Sequence, residues 1–205
     1  MAIRTFNAEL TSASGMFYSK PKFSEKPRDK THDVYEKESW QEKVHVNGDG
    51  ECTLNPMAIK NCLETAAVRL SMKVPGERNK TFSKLFRSGI LVLNEPIMTN
   101  PANDKPYKIG DVNPRMMFVP ADGKRGSGKR VNRIFPELAK WKTTVSITVL
   151  DDKIPDEVVL EHLQQAGMFI GLGAMRVENG GISGRFKITK FKLTEGKSIG
   201  SAVTV

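Results

Sequence analysis

Four stretches of the chain carry the hydrophobic pattern of β-strands. In the first of them polar and apolar residues alternate, which is typical of a strand with one face on a core and the other in solvent. The face that we expect to be buried holds Arg4, Phe6, Ala8 and Leu10. The predicted core strands are residues 3–11, 89–93, 141–150 and 184–193.

Two further stretches have helical spacing. The first begins at Asn55-Pro56, a pair that places an N-cap side chain before a proline at the first helical position, and is predicted to end near Ser71. The second follows Pro155, and Gly171 is placed to end it in a left-handed conformation. The apolar stripes are Ile59, Cys62, Leu63, Ala66 and Leu70 in the first helix and Val159, Leu163, Ala166 and Ile170 in the second.

The segments between these elements have little hydrophobic periodicity. Residues 12–50 are predicted as a long insertion with a hairpin near 43–46, and residues 73–87 as a basic loop. Residues 95–136 are a second insertion, which ends in a hairpin of two strands, 116–120 and 131–135.

The order of the core elements is strand, helix, strand, strand, helix, strand. This order predicts an α+β fold of the ferredoxin-like, RRM-like split βαβ type, with an antiparallel sheet and two helices on one face. We expect a single domain over residues 1–195, interrupted by the insertions at about 12–50 and 95–136, and a flexible tail over 196–205.

The charge of the chain favours an acidic partner. The formal net charge is +9, and nucleic acid is the commonest partner of proteins with such an excess of positive charge. No run of eighteen apolar residues, amphipathic basic helix or secretory leader is found, so a membrane partner is not expected. The two cysteines form no C-x-x-C pair, which favours a reducing, cytoplasmic location and predicts no metal and no cofactor.

The most basic stretch lies between Gly123 and Arg133. Its cations repel one another and its glycines lose much conformational entropy on ordering, so a polyanion is the ligand expected to order it. The alternative is a solvated basic hairpin tip without a ligand. A phosphate-binding loop is disfavoured, because Arg130 stands where a magnesium-binding Ser or Thr is required and Pro136 prevents a long helix. The predicted phosphate contacts are Lys124, Arg125, Lys129, Arg130 and Arg133.

A second glycine-rich loop follows the second helix, and aromatic residues stand in the first insertion. Arg176 and Arg185 lie beside glycines that would let a strand approach closely, although either could instead be a surface arginine that pairs with Glu178. Tyr35 and Trp40 are the predicted base-stacking side chains, because a polar insertion offers large rings little local core. They could also anchor that insertion to the domain.

The order of elements, the basic excursion 124–133 and the loop from Gly171-Leu172-Gly173 to Gly184-Arg185-Phe186 resemble the RAMP superfamily. These are the modified RNA-recognition folds of CRISPR effector backbone subunits and of some guide-RNA processing nucleases. The resemblance implies that the basic excursion acts as a finger along the bound strand. It also implies that Gly171, Gly173, Gly180, Gly181 and Arg185 lie near bound RNA.

Residues 122–131 and the same glycine-rich loop are also similar to uncharacterised bacteriophage proteins, which implies a phage source and the host cytoplasm. The predicted function is that of a non-enzymatic protein that binds single-stranded RNA or DNA and assembles side by side on it as a homo-oligomer. One alternative is a metal-independent RNase that uses His32 or His45 with Tyr35 and Lys37. Another is a structural or inhibitory protein that imitates a CRISPR backbone subunit.

Overall fold

The central sheet is built from strands that are far apart in the sequence. The computed structural model describes residues 3–123, 126, 128–197 and 199–200, and within them four strands form this sheet in the spatial order β3-β6-β1-β7. Neighbouring strands are antiparallel throughout. The predicted ferredoxin-type α+β fold is therefore confirmed. The strands are β1 (Arg4–Ser12), β3 (Ile90–Val92), β6 (Lys142–Val149) and β7 (Phe186–Glu195).

Helices pack on one face of the central sheet. The Asn55 side chain accepts a hydrogen bond of 2.9 Å from the Met57 N–H, so the predicted N-cap begins α2. Gly171 follows α4 and its π-helical extension with φ 77° and ψ 172°, so its positive φ was predicted correctly but its ψ lies outside the left-handed helical region. The helices of this layer are α2 (Pro56–Leu70), α3 (Phe82–Gly89) and α4 (Asp156–Gln165), the last extended by Ala166–Ile170.

The first strand shows the predicted division between a buried face and an open one. Phe6, Ala8 and Leu10 are buried in the core that the helices share with the sheet. On the opposite face, the Ser146 hydroxyl donates to the Asn7 side-chain oxygen at 2.6 Å. The sheet therefore has one apolar face against the helices and one polar face that no helix of the described chain covers.

Arg4 is the exception on the buried face, because it is a charged residue with no exposed surface. Its guanidinium forms a salt bridge with Asp156 at the start of α4. It also donates to the main-chain oxygen of Ile154 at 2.6 Å and to that of Asp151 at 3.2 Å. These contacts join the first residue of β1 to the loop that starts α4.

A smaller sheet carries the basic hairpin. Within the described residues its spatial order is β2-β5-β4, and the pairing of β4 with β5 runs from Asn113↔Glu137 to Pro120↔Arg130. The predicted hairpin is confirmed and is longer at both ends than its sequence pattern indicated. The strands are β2 (Met16–Phe17), β4 (Asn113–Pro120) and β5 (Arg130–Leu138).

Two predicted loops contain secondary structure. The first insertion holds β2, the helix α1 (His32–Ser39) and a 3₁₀ turn (Trp40–Lys43). The predicted hairpin near 43–46 is present only as a single antiparallel bridge between Val46 and Cys52 across the turn 47–50, with the Thr53 N–H donating to the His45 oxygen at 2.9 Å. The basic loop 73–87 contains most of α3, whose Phe82 and Phe86 are buried.

The boundaries of the domain stay a prediction. Residues 201–205, the end of the tail predicted to be flexible, lie outside the described residues. Within the described part of the tail, the main-chain oxygen of Ile199 accepts a hydrogen bond of 2.8 Å from the Asp156 N–H.

A histidine, His162, is fully buried in the helical layer. The His162 ring lies 4.4 Å from the Phe86 ring, centroid to centroid, and its Nδ1 is 2.7 Å from the Val158 oxygen. Burial lowers the pKa of His162, so below about pH 6.5 the unfolded chain binds a proton that the folded chain resists. We expect the free energy of unfolding to fall as the pH drops below that value.

The measurement is urea denaturation of the wild type and of His162→Gln between pH 5 and 8. Below pH 6.5 the free energy of unfolding should change less steeply with pH in the variant than in the wild type. One titrating group contributes at most about 1.4 kcal/mol per pH unit. Burial also lowers the pKa of His45, so that histidine should supply a residual slope of the same sign. An unchanged slope in His162→Gln would show that His162 takes up its proton equally in both states.

Candidate nucleic-acid interface

A groove of about 630 Å³ lies between α1 and the outer half of the β4–β5 hairpin. We call it the hairpin groove. Side chains from chain segments about a hundred residues apart meet in it, so the fold and not the local sequence creates it. Its lining includes the cations Lys22, Lys129, Arg130 and Arg133, the rings of Tyr35 and Phe118, and His32.

One carboxylate fastens α1 to the hairpin. Glu36 accepts hydrogen bonds from Lys22 Nζ at 2.9 Å and from the Ile134 N–H at 2.8 Å, and it forms a salt bridge with Lys43. Burial alone would raise the pKa of Glu36, but the bonds from Lys43, Lys22 and Ile134 outweigh it and hold the pKa below its ordinary value. Glu36 is therefore ionised near neutral pH and fixes one wall of the groove.

Three of the five predicted phosphate contacts line the hairpin groove. Lys129 and Arg130 are exposed, and the Arg130 guanidinium lies 5.6 Å from the centre of the Phe118 ring. Arg133 donates to the Ala121 main-chain oxygen at 2.8 Å, which ties it to the turn of the hairpin. Lys124 and Arg125 lie outside the described residues. The described part of the finger thus places its cations on a common cavity.

The two predicted stacking residues have different environments. Tyr35 lines the groove, with Lys22 Nζ 4.2 Å from its ring centre and its hydroxyl donating to the Ser24 main-chain oxygen at 2.6 Å. Trp40 does not line the groove and packs against the core. This position favours the alternative in which Trp40 anchors the first insertion.

The glycines of the second loop serve close packing of the chain on itself. A Cβ on Gly173 would lie 2.3 Å from the Phe17 oxygen, and one on Gly181 would lie 1.8 Å from the Met175 oxygen. Gly171 likewise lies against Gly184 in a backbone conformation with positive φ, whereas Gly180 is exposed. Main-chain contacts within the protein therefore already account for the glycines at 173 and 181.

The arginines of this loop are also accounted for in part. Arg176 Nε is 2.8 Å from a Glu178 carboxylate oxygen, which is the pairing left open from the sequence. Arg185 is exposed. A separate cavity of about 270 Å³ lies between this loop and α2, lined by Asn55, Asn61, Gly171, Gly173 and Arg176 among others.

The basic hairpin and the glycine-rich loop both contact β2 but line separate cavities. Phe17 in β2 pairs with Glu137 at the base of the hairpin and forms a bridge to Ala174 in the loop. Arg130 stands seven residues along β5 from Glu137, which corresponds to roughly 23 Å of extended strand. The finger and the glycine-rich loop therefore line separate cavities, and contact of both with one bound strand stays a prediction.

Two solved structures show where this architecture occurs. One chain of "Cryo-EM structure of the Type III-B Cmr-beta bound to cognate target RNA" matches 95% of this chain at 10% identity, with a TM-score of 0.56. Cmr6 from Pyrococcus furiosus matches 92% of it at 13% identity, with a TM-score of 0.50. The fold is RAMP-like. This chain spans 61% of the matched Cmr-beta chain and 99% of the matched Cmr6 chain.

Comparisons at the level of sequence give no relative. No protein-family model matches the chain, and no curated protein matches it. The RAMP-like fold therefore shows in the arrangement of the elements and not in sequence identity. In the described part of the chain, no helix is long and apolar enough to cross a membrane.

Several residues that line the groove carry no recognisable signal in the sequence. Phe118 stands in the apolar run Met116–Val119, where alternation is absent, so no pattern showed that 62% of its surface is exposed. Lys22 and Asn132 carry no motif. His32 was considered only as a candidate for catalysis, and the structure places it in the groove with Tyr35.

Proposed function

We propose that this protein binds single-stranded nucleic acid, RNA or DNA, in the hairpin groove and does not cleave it. The observation that supports the proposal is that cations of the hairpin line the same cavity as an aromatic ring of α1. The cations are Lys129, Arg130 and Arg133, and Lys22 and Tyr35 line the opposite side. Cations that neutralise phosphates provide the sequence-independent part of the affinity, and exposed aromatic rings stack on unpaired bases. The groove offers both kinds of contact.

The charge within the groove supports an anionic ligand. Asp33 and Glu36 also line it, but Glu36 is already bonded to Lys22 and Lys43. Lys129 and Arg130 remain exposed on the opposite wall. The Cmr-beta complex that contains the matched chain is bound to its cognate target RNA, which is consistent with such a ligand for a RAMP-like fold.

Fluorescence anisotropy across a salt series tests the proposal. Labelled single-stranded RNA, single-stranded DNA and duplex of equal length are titrated with the protein. If Lys129, Arg130 and Arg133 each contact one phosphate, the logarithm of the association constant should fall with the logarithm of salt concentration with a slope of about −2. Binding that does not depend on salt, or no binding to any strand, would contradict the proposal.

The same samples test assembly along the strand, which we include in the proposal. Light scattering after size-exclusion chromatography should give a mass that rises in steps with the length of the oligonucleotide. A single copy of the protein on strands of every length would contradict side-by-side assembly and leave strand binding in place.

The second candidate function is that of a metal-independent RNase. The observation that favours it is the presence of His32 and Tyr35 on the groove that also holds the cations proposed to contact phosphate. An imidazole beside a bound strand can act as a general base or acid. His45 is a weaker candidate, because it is half-buried against the Tyr18 ring, 6.4 Å away between centroids.

Labelled RNA incubated with the protein in a chelator separates the two candidates. Binding without cleavage is the result that we expect. Cleavage that disappears in His32→Ala, while the affinity for RNA stays within a few-fold, would establish the RNase instead. His45→Ala is the matched control, since His45 does not line the groove.

A further inference from the structure

The outer edge of β5 directs main-chain groups into the hairpin groove. The Ala121 N–H donates to the Lys129 oxygen at 2.9 Å, so residue 129 bonds toward the β4 side of the hairpin. Residues of an antiparallel pair alternate in this respect, which turns the N–H and C=O groups of the even-numbered residues of β5 away from β4.

Two contacts confirm this alternation farther along the strand. The Ile134 N–H donates to Glu36, and the Pro136 main-chain oxygen accepts from the Tyr18 N–H at 2.9 Å. Both groups point away from β4.

At Arg130 and Asn132 this edge is open. Neither residue's outward main-chain groups meet a partner in the described part of the chain, and both residues are exposed and line the groove. Beyond them the edge is closed, because Glu36 and Lys43 occupy the N–H and C=O of Ile134. Within the described residues the open edge is therefore two residues long.

A ligand that pairs with all four outward main-chain groups of this edge must have hydrogen-bond donors as well as acceptors. A phosphodiester can accept from the two N–H groups, but it has no donor for the two carbonyl oxygens. The Watson–Crick edge of an unpaired base carries a donor next to an acceptor and is regularly read by proteins that bind single strands. The exposed Phe118 ring beside Arg130 offers a face on which such a base can stack.

We infer that the open edge of β5 at Arg130 and Asn132 is a main-chain recognition site for an unpaired nucleobase. The inference rests on the proposed function and narrows its substrate, because the same base edges are already occupied in a duplex. A peptide strand has the same groups, but it would need a longer open edge than the part that Glu36 and Lys43 leave. Every base has a donor next to an acceptor on its Watson–Crick edge, so the site selects unpaired strands over duplex.

The test removes one main-chain donor and leaves the hairpin ladder intact. Asn132→Pro deletes the outward N–H, and Asn132→Ala is the matched control that keeps it. Proline is compatible with this position, since Pro114, Pro120 and Pro136 already stand at outward-pointing positions of the same hairpin. Anisotropy is measured with a single-stranded oligonucleotide and with an abasic strand of equal length.

We expect Asn132→Pro to bind the single strand roughly tenfold more weakly than Asn132→Ala, and both variants to bind the abasic strand equally. Equal affinities for the single strand would overturn the inference. An equal loss on the abasic strand would assign the contact to the sugar-phosphate chain and also overturn it. Loss of self-association in light scattering, with strand affinity unchanged, would show that the edge pairs with a protein strand instead.

Hydrogen exchange of the wild-type protein gives an independent measurement if Asn132→Pro does not fold. The amides of Arg130 and Asn132 should exchange more slowly with the single strand bound and not with the abasic strand. Unchanged exchange would overturn the inference. If the inference alone fails, the wild type still binds single strands in a salt-dependent way; if the proposed function fails, the wild type itself does not bind.

Discussion

Replacing Arg4 by methionine should lower the free energy of unfolding by about 3–5 kcal/mol. The variant keeps most of the side-chain volume but leaves the Asp156 carboxylate, only 4% exposed, without the guanidinium that it faces. The main-chain oxygen of Ile154 also loses a donor at 2.6 Å. Removing one partner of a buried salt bridge is among the most destabilising changes that a single substitution causes. Urea denaturation at pH 7 measures the effect.

Two further variants decide whether charge burial is the cause. Arg176→Met breaks a salt bridge whose side chains are 39% and 30% exposed, and it should cost less than about 1 kcal/mol. The double variant Arg4→Met, Asp156→Leu leaves neither charge in the core, so it should recover much of the lost stability. If Arg4→Met alone is as stable as the wild type, the buried pair does not hold β1 to α4.

The parts of the fold that the sequence predicted are those whose pattern is local. Strand β1 alternates because one face lies on the helices and the other is open, and both faces are visible in nine consecutive residues. The start of α2 was predictable for the same reason, since Asn55 caps the helix that Pro56 begins. These signals need no knowledge of the rest of the chain.

The two missed helices differ in what could have revealed them. Helix α3 has a local signal, because Phe82, Leu85 and Phe86 follow helical spacing. The many lysines and arginines around them led to the prediction of a loop. Helix α1 has little apolar surface of its own, with only Ser39 buried. Its position depends on Glu36, which bonds to Ile134 at a sequence separation of 98 residues.

The candidate site could be predicted only in part. The cations of the hairpin are adjacent in the sequence, so their clustering was visible before the fold was known. Their meeting with Tyr35 depends on how α1 packs against β5, which the sequence does not show. The glycine-rich loop illustrates the opposite case. Its glycines at 173 and 181 are required by contacts with Phe17 and Met175 inside the protein. Glycine content alone is therefore not evidence that this loop binds a ligand.

Neutralising the groove should have the largest effect on binding. In the triple variant Lys129→Gln, Arg130→Gln, Arg133→Gln, three cations that line one cavity are lost together. Charged hydrogen bonds to phosphate are individually strong, so we expect the affinity for a single strand at low salt to fall on the order of a hundredfold or more. The slope of log affinity against log salt should also become shallower by about 2. Anisotropy over 50–300 mM salt measures both quantities.

The matched control makes the same change in net charge elsewhere. Lys73, Lys80 and Lys84 are exposed and lie in and before α3. The helix leads into β3, which pairs with the end of β6 remote from the hairpin sheet. Replacing these three lysines by glutamine should change the affinity only a few-fold, because a long-range effect of net charge is screened at physiological salt. If both triple variants lose affinity equally, the protein attracts nucleic acid by its overall charge and the hairpin groove is not the binding site. If the groove variant alone loses strand binding, the groove is the place of contact, provided that its thermal unfolding matches that of the control.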